Sequence, residues 1–138
     1  MFEHGMLLPV LVLAGWTFVM WFWLYATRIP AIQNARVNMA ELSRTGAPLV
    51  LPPEIARVAD NYNHLHEQPT IFYAVALTAQ LAGAGDPTNI GLAWTYVALR
   101  IAHSFVQATK NVIPVRFAVF TLGSLVLMGL WVRTLLAL

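Results

Sequence analysis

The stretch GMLLPVLVLAGWTFVMWFWLYAT, residues 5–27, contains no charged side chain and decides the fold class. An apolar run of about 20 residues is long enough to cross the hydrocarbon core of a bilayer as one helix. The run ends at Arg28, with Pro30 just beyond, and its tryptophans are typical of membrane interfaces. A cleavable signal sequence would have a basic start and a shorter apolar segment. We therefore interpret residues 5–28 as a retained transmembrane helix.

The whole chain has the composition of a membrane protein. Of its 138 residues, 59% are hydrophobic and 10% are charged, whereas soluble domains have about 25% charged residues. Three further helices are predicted at about residues 53–83, 90–111 and 115–137, the first of them unbroken. The connection before residue 53 is expected to be amphipathic or partly irregular. The prediction is an all-α bundle of four transmembrane helices, forming one domain over residues 1–138.

The positions of the basic residues predict the orientation of this bundle. They concentrate in the first and third connections and their flanks, at Arg28, Arg36, Arg44, Arg57, Lys110 and Arg116. The second connection has only Asp86, and basic loops stay in the cytoplasm. Both termini should therefore lie on the non-cytoplasmic side, although Arg133 argues mildly against this.

The net charge of +2 gives no electrostatic case for nucleic acid, and without cysteine there is no disulfide or thiolate site.

Two polar stripes, one on helix two and one on helix three, interrupt the apolar pattern. Their residues recur at spacings of three and four, so each set shares one helix face. The stripes are Arg57, Asn61, His64 and Gln68, with Glu67 beside them, and Tyr96, Arg100, His103, Gln107 and Lys110. A charge at mid-membrane costs about 2.5–3.5 kcal/mol on insertion scales, so Arg100 needs a partner. We predict that Arg100 pairs with Glu67, within one chain or between chains.

The polar stripes allow two interpretations, which the residues alone leave open. Polar side chains in membranes often only form hydrogen bonds between helices. Alternatively they form a site for a small ligand with carboxylates, which guanidinium groups such as those of Arg57 and Arg116 bind with paired hydrogen bonds. A metal site is not predicted, because His64 and His66 point about 200° apart on a helix.

Two segments resemble the MAPEG family, the membrane-associated proteins of eicosanoid and glutathione metabolism. RVADNYNHLHEQPTIFYAVAL, residues 57–77, is similar to the family's Arg-x-x-x-Asn-x-x-Glu stretch opening helix two. YVALRIAHSFVQATKNVIPVRFAVFTLG, residues 96–123, is similar to its helix three to helix four segment. The resemblance extends over nearly the whole chain, and it looks like a bacterial branch of the family.

The resemblance implies a homotrimer in a membrane, expected to be a bacterial inner membrane, with glutathione held between neighbouring subunits at the cytoplasmic side. By position, Arg116 matches the arginine that opens helix four and is proposed to activate the glutathione thiol. Glu67 matches the motif glutamate and Arg100 the helix-three arginine. The catalytic candidate is therefore Arg116, and the ligand-binding candidates are Arg57, Asn61, His64, Glu67, Arg100, His103 and Gln107.

The chain departs from the family pattern at two places. The position three before Glu67 is His64 instead of asparagine, and catalytic members have helix-three tyrosines where this chain has His103 and Gln107. Two functions therefore stay open. One is a glutathione transferase or peroxidase acting on lipophilic small molecules. The other is a non-catalytic subunit that packs against a larger membrane complex or regulates it.

Overall fold

A computed structural model of the chain describes residues 4–138, and all secondary structure in that range is helical. The helices are α1 Leu7–Asn34, α2 Met39–Thr45, α3 Pro53–His64, α4 Gln68–Leu81, α5 Pro87–Ala108 and α6 Ile113–Leu136. Helix α5 packs along α6 and also contacts α1 and α3, so it lies at the centre of the bundle. Only α1 and α6 among the described helices are long and apolar enough, by length and composition, to cross a membrane. The four-span count remains a prediction.

Helix α1 extends further than predicted, because it continues past Arg28 to Asn34 with Pro30 inside it. A proline removes one helical hydrogen bond and bends a helix, but its fixed φ angle is compatible with helical geometry. One turn earlier, the Thr27 hydroxyl donates to the carbonyl oxygens of Trp23, at 3.0 Å, and Leu24, at 3.2 Å. The predicted end at residue 28 is therefore wrong.

The predicted unbroken second helix is also wrong, because the structure divides it into α3 and α4. Pro69 cannot donate to the carbonyl of Leu65, and its ring would clash with that carbonyl in a continuous helix. The backbone of Glu67 accordingly leaves helical geometry, with φ −93° and ψ −98°. The N–H of His66 bonds the carbonyl of Asn63 at 3.0 Å in a tighter turn. This break changes the direction of Glu67 relative to the residues of α3.

The interior and the outer surface of the bundle are both largely apolar. Phe72 of α4 stacks on Tyr96 of α5, with ring centroids 4.7 Å apart, inside a core of buried aliphatic side chains. On the outside, large apolar side chains such as Phe22, Phe117 and Trp131 are exposed. An apolar surface of this extent is suited to contact with lipid.

The turn between α4 and α5 is joined to the end of α6 by polar contacts. Asp86 caps α5, because its carboxylate accepts from the backbone N–H groups of Thr88, at 2.9 Å, and Asn89, at 3.0 Å. Arg133 donates to the side-chain oxygen of Asn89 at 2.6 Å and to both carboxylate oxygens of Asp86 at 3.3 Å. Arg133 therefore fastens the end of α6 to the second connection, and the orientation of the bundle stays a prediction.

Candidate functional site

A cavity of about 580 Å³ opens at the end of the bundle where α3 and α5 end and α6 begins. It contains five of the predicted site residues, namely His64, Glu67, His103, Gln107 and Arg116. It is also lined by Asp60, Asn63, Ile113, Phe117 and Phe120. Arg57, Asn61 and Arg100 do not line it. The cavity is open on one side, and its wall combines charged, polar and aromatic groups.

Arg116 is held at the cavity by the connection between α5 and α6. Its Nη1 donates to the side-chain oxygen of Asn111 at 2.8 Å. Asn111 has a left-handed backbone, with φ +50°, which asparagine tolerates better than most residues. Its N–H bonds the carbonyl of Val106 at 2.7 Å, so the connection folds back onto α5. Arg116 lies in the first turn of α6, where the helix dipole adds to its positive charge.

His64 and Glu67 form a hydrogen-bonded pair across the break between α3 and α4. The distance from His64 Nδ1 to Glu67 Oε2 is 2.8 Å, and the Glu67 side chain is 66% exposed. The His64 ring also lies beside the rings of His103, at 5.0 Å, and Phe120, at 5.3 Å. Within the described part of the chain, Glu67 makes no ion pair with Arg100. The predicted pair is therefore wrong within one chain, and its formation between chains stays a prediction.

Four predicted ligand-binding residues are buried with polar atoms that have no partner. Within residues 4–138, these unpaired atoms are Asn61 Nδ2 and Oδ1, Arg100 Nε, Nη1 and Nη2, His103 Nδ1 and Gln107 Oε1. We call these four residues the unpaired cluster. Buried polar atoms are normally hydrogen-bonded, and an unmet one costs about 1–3 kcal/mol, or more when charged. His103 and Gln107 reach the cavity, and Arg100 lies one turn before His103 on α5.

A model of the MAPEG family matches residues 6–136 of the chain. The chain belongs to the MAPEG family. No curated protein and no solved structure matches it in the corresponding comparisons. The predicted membership is thus confirmed, while the bacterial branch, the ligand and the trimer are properties that membership alone leaves as proposals.

Other residues of the polar stripes in this MAPEG protein do form hydrogen bonds between helices. Tyr96 donates its hydroxyl to Gln68 Oε1 at 3.2 Å, and Gln68 Nε2 donates to the Ser124 hydroxyl at 2.8 Å. These bonds link α5, α4 and α6. Arg57 Nη1 donates to the carbonyl of Thr109 at 3.0 Å, beyond the last turn of α5. The interpretation as contacts between helices therefore holds for Gln68, Tyr96 and Arg57, and a ligand site stays a prediction for the unpaired cluster.

Sequence reasoning missed five residues that line the cavity, and two of them could have been found. Asp60 lies four residues before His64 and Asn63 lies four residues before Glu67, which is one of the spacings that identified the stripes. Phe117 and Phe120 follow Arg116 within a strongly apolar helix, in which lipid-facing positions have side chains of the same kind. No signal in the sequence distinguishes them, because only the packing of α6 on α5 brings them to the cavity.

Proposed function

We propose that this MAPEG protein binds glutathione or a similar small anionic thiol in the cavity between α3, α5 and α6. With that thiol it would conjugate a lipophilic electrophile or reduce a lipid hydroperoxide. The observation that carries the proposal is the unpaired cluster, because its buried donors and acceptors require a polar partner and two of its members, His103 and Gln107, line the cavity. A ligand with carboxylates and amides offers hydrogen bonds of both kinds to these groups.

The charges around the cavity suit the parts of such a thiol. Arg116, at the cavity wall, would hold a carboxylate group or stabilise the thiolate and lower the pKa of the ligand's thiol. Arg100 lies behind the wall, one turn before His103, and would pair with a carboxylate that reaches past His103. Asp60 and Glu67 offer negative charge to an ammonium group. A volume of about 580 Å³ lies within the range of about 300–1,000 Å³ that is typical of small-molecule sites. Phe117 and Phe120 provide an apolar wall for the lipophilic substrate.

The same proposal places the cavity in a homotrimer that crosses a bacterial inner membrane, each chain with four spans. The cavity would face the cytoplasm, and both termini would lie on the other side. Two features support this arrangement. The connection beside the cavity is basic, and the cavity has an open side that a neighbouring subunit would close. The exposed carboxylate of Glu67 would then be available to a neighbouring chain as well as to His64.

The decisive experiment compares Arg116→Ala with the wild-type protein in lipid nanodiscs. Glutathione at 100 times its dissociation constant should add about 2.7 kcal/mol to wild-type stability. The substitution should lower glutathione-dependent turnover of chlorodinitrobenzene or a lipid hydroperoxide by about 100-fold or more, since one charge-stabilising donor is lost. Arg44→Ala is the matched control, because that side chain is 75% exposed on α2. Unchanged turnover in Arg116→Ala would remove Arg116 from the mechanism.

A second candidate function is a non-catalytic subunit of a larger membrane complex. It is favoured by His103 and Gln107, because both line the cavity at positions where the catalytic members of the family have tyrosines. The two functions differ in one measurement on the purified wild-type protein. Saturable glutathione binding without turnover of either electrophile, together with co-purification of a defined membrane complex, would support the non-catalytic function.

A further inference from the structure

The hydrogen bond between His64 and Glu67 determines which ring nitrogen of His64 carries a proton. An ionised carboxylate only accepts hydrogen bonds, so Nδ1, at 2.8 Å from Glu67 Oε2, must be the donor. In a neutral imidazole the other nitrogen, Nε2, then has a free lone pair. A carboxylate that orients a histidine in this way also stabilises the imidazolium formed when Nε2 takes up a proton.

The surroundings of His64 hold its ring in place within the cavity. His103 of α5 and Phe120 of α6 lie against it, at ring distances of 5.0 Å and 5.3 Å. The charged and titratable groups around the cavity are Asp60 on α3, Glu67 after α3, His103 on α5 and Arg116 on α6. A rigid base and a fixed cation therefore share one cavity with an aromatic wall.

We propose that His64 is the general base that removes the proton from the bound thiol, with Glu67 as its positioning residue. This inference rests on the proposed function. The S–H bond breaks, its electron pair stays on sulfur, and the proton moves to Nε2. With an α,β-unsaturated carbonyl compound, the thiolate forms the S–C bond and the displaced π electrons give an enolate. The enolate then takes the proton back from His64, which returns to its neutral form.

The same turn provides a matched control in His66. Its Nδ1 lies 2.9 Å from the carbonyl of Tyr62, so it has the same tautomer as His64 when neutral. Its ring packs on Tyr62 at 4.7 Å, and it does not line the cavity. His64 and His66 thus share a tautomer but differ in their access to the cavity and in the acceptor that Nδ1 bonds, a carboxylate for His64 and a backbone carbonyl for His66.

The test measures His64→Gln and His66→Gln in nanodiscs with glutathione and an unsaturated aldehyde. His64→Gln should lower kcat by about 100-fold to 10,000-fold, the usual contribution of a general base, while glutathione binding is retained. It should also remove from the pH profile of kcat/KM the ionisation that belongs to the base. His66→Gln should keep the wild-type rate and profile. Added imidazole should restore part of the rate of His64→Ala.

Glu67→Gln tests the inference with His64 still present. An amide both donates and accepts, so it no longer fixes the tautomer, and kcat should fall by at least about 10-fold. Wild-type protein that binds and converts glutathione, with His64→Gln matching it in rate and profile, overturns the inference and leaves the proposed function intact. An equal loss in His66→Gln also overturns it. Wild-type protein that does not bind glutathione overturns the proposed function itself.

Discussion

Two arginines in neighbouring helices of this bundle have opposite surroundings. Arg133 of α6 is 45% exposed and pairs with Asp86 and Asn89 at the turn between α4 and α5. Arg100 of α5 is 1% exposed, and none of its side-chain nitrogens has a partner among residues 4–138. A buried charge without a partner is costly, whereas a paired one near the surface stabilises modestly. The contrast indicates that Arg133 supports the fold, and it is consistent with the proposal that Arg100 binds a ligand.

The largest expected effect is that of Arg100→Met on ligand binding. Methionine fills a similar volume without charge, so the ligand-free protein should unfold at the same temperature or higher. Glutathione binding should weaken by about 2–5 kcal/mol, because a ligand carboxylate would lose a buried charged partner. Thermal unfolding in nanodiscs, with and without glutathione, measures both effects in one series.

The opposite result would change the interpretation of Arg100. If Arg100→Met strongly destabilises the ligand-free protein, a neighbouring subunit already supplies the missing partner. Glu67 of that subunit is the predicted candidate, and Glu67→Gln should then destabilise the assembly to a similar extent. Arg100 and Arg133 would then differ in another way: Arg100 would pair with a residue of a neighbouring subunit, and Arg133 pairs within its own subunit.

A smaller effect with the reverse sign is expected for Arg133→Met. The substitution leaves the side-chain oxygen of Asn89, a residue that is 1% exposed, without its donor, while the carboxylate of Asp86 loses Arg133 but keeps its backbone donors. The loss of stability should be about 1 kcal/mol, because the arginine and the aspartate are both about half exposed and screened by solvent. Glutathione binding should not change. A ligand-binding defect in Arg133→Met would mean that the two ends of the bundle are coupled.

The sequence predicts where the helices lie better than it predicts which prolines interrupt them. The sequence pattern locates α5 and α6 within a few residues, because neither helix has a proline beyond its first turn. Pro30 lies inside α1, whereas Pro69 accompanies a complete break before α4. The same residue type gives two outcomes, and local sequence does not distinguish them. Both α3 and α4 pack against α1, and α4 also packs against α6; such long-range contacts are not visible in a pattern of spacings.

Spacing likewise finds the polar faces but not the bonds that their residues form. The two stripes, together with Glu67, contain four of the seven described polar residues that line the cavity, namely His64, Glu67, His103 and Gln107. They predict Arg100 as the partner of Glu67, whereas Glu67 bonds His64. The break at residues 65–67 changes the direction of the Glu67 side chain, and no spacing rule for a continuous helix anticipates this. Arg57 bonds a backbone carbonyl. Every residue has such an acceptor, so the sequence does not indicate which one Arg57 contacts.

The smallest expected effect is a dependence on pH at the paired end of the bundle. The backbone N–H of Asn89 is the main cause that lowers the pKa of Asp86 below its ordinary value, and Thr88 and Arg133 lower it further. Because the folded pKa lies below the unfolded value of about 3.9, ionised Asp86 stabilises the fold above that pH. This stability is lost as the pH falls through the folded pKa.

Asp86→Asn isolates this contribution, because asparagine still caps α5 but cannot ionise. Wild-type protein should lose unfolding temperature more steeply than Asp86→Asn as the pH falls below about 4, by a small margin since the carboxylate is 44% exposed. Equal slopes would mean that Asn89 alone holds Arg133. A neutral amide would then be a sufficient partner for an arginine at this end of the bundle. That the buried Arg100 needs a charged ligand would then have to be shown by ligand binding alone.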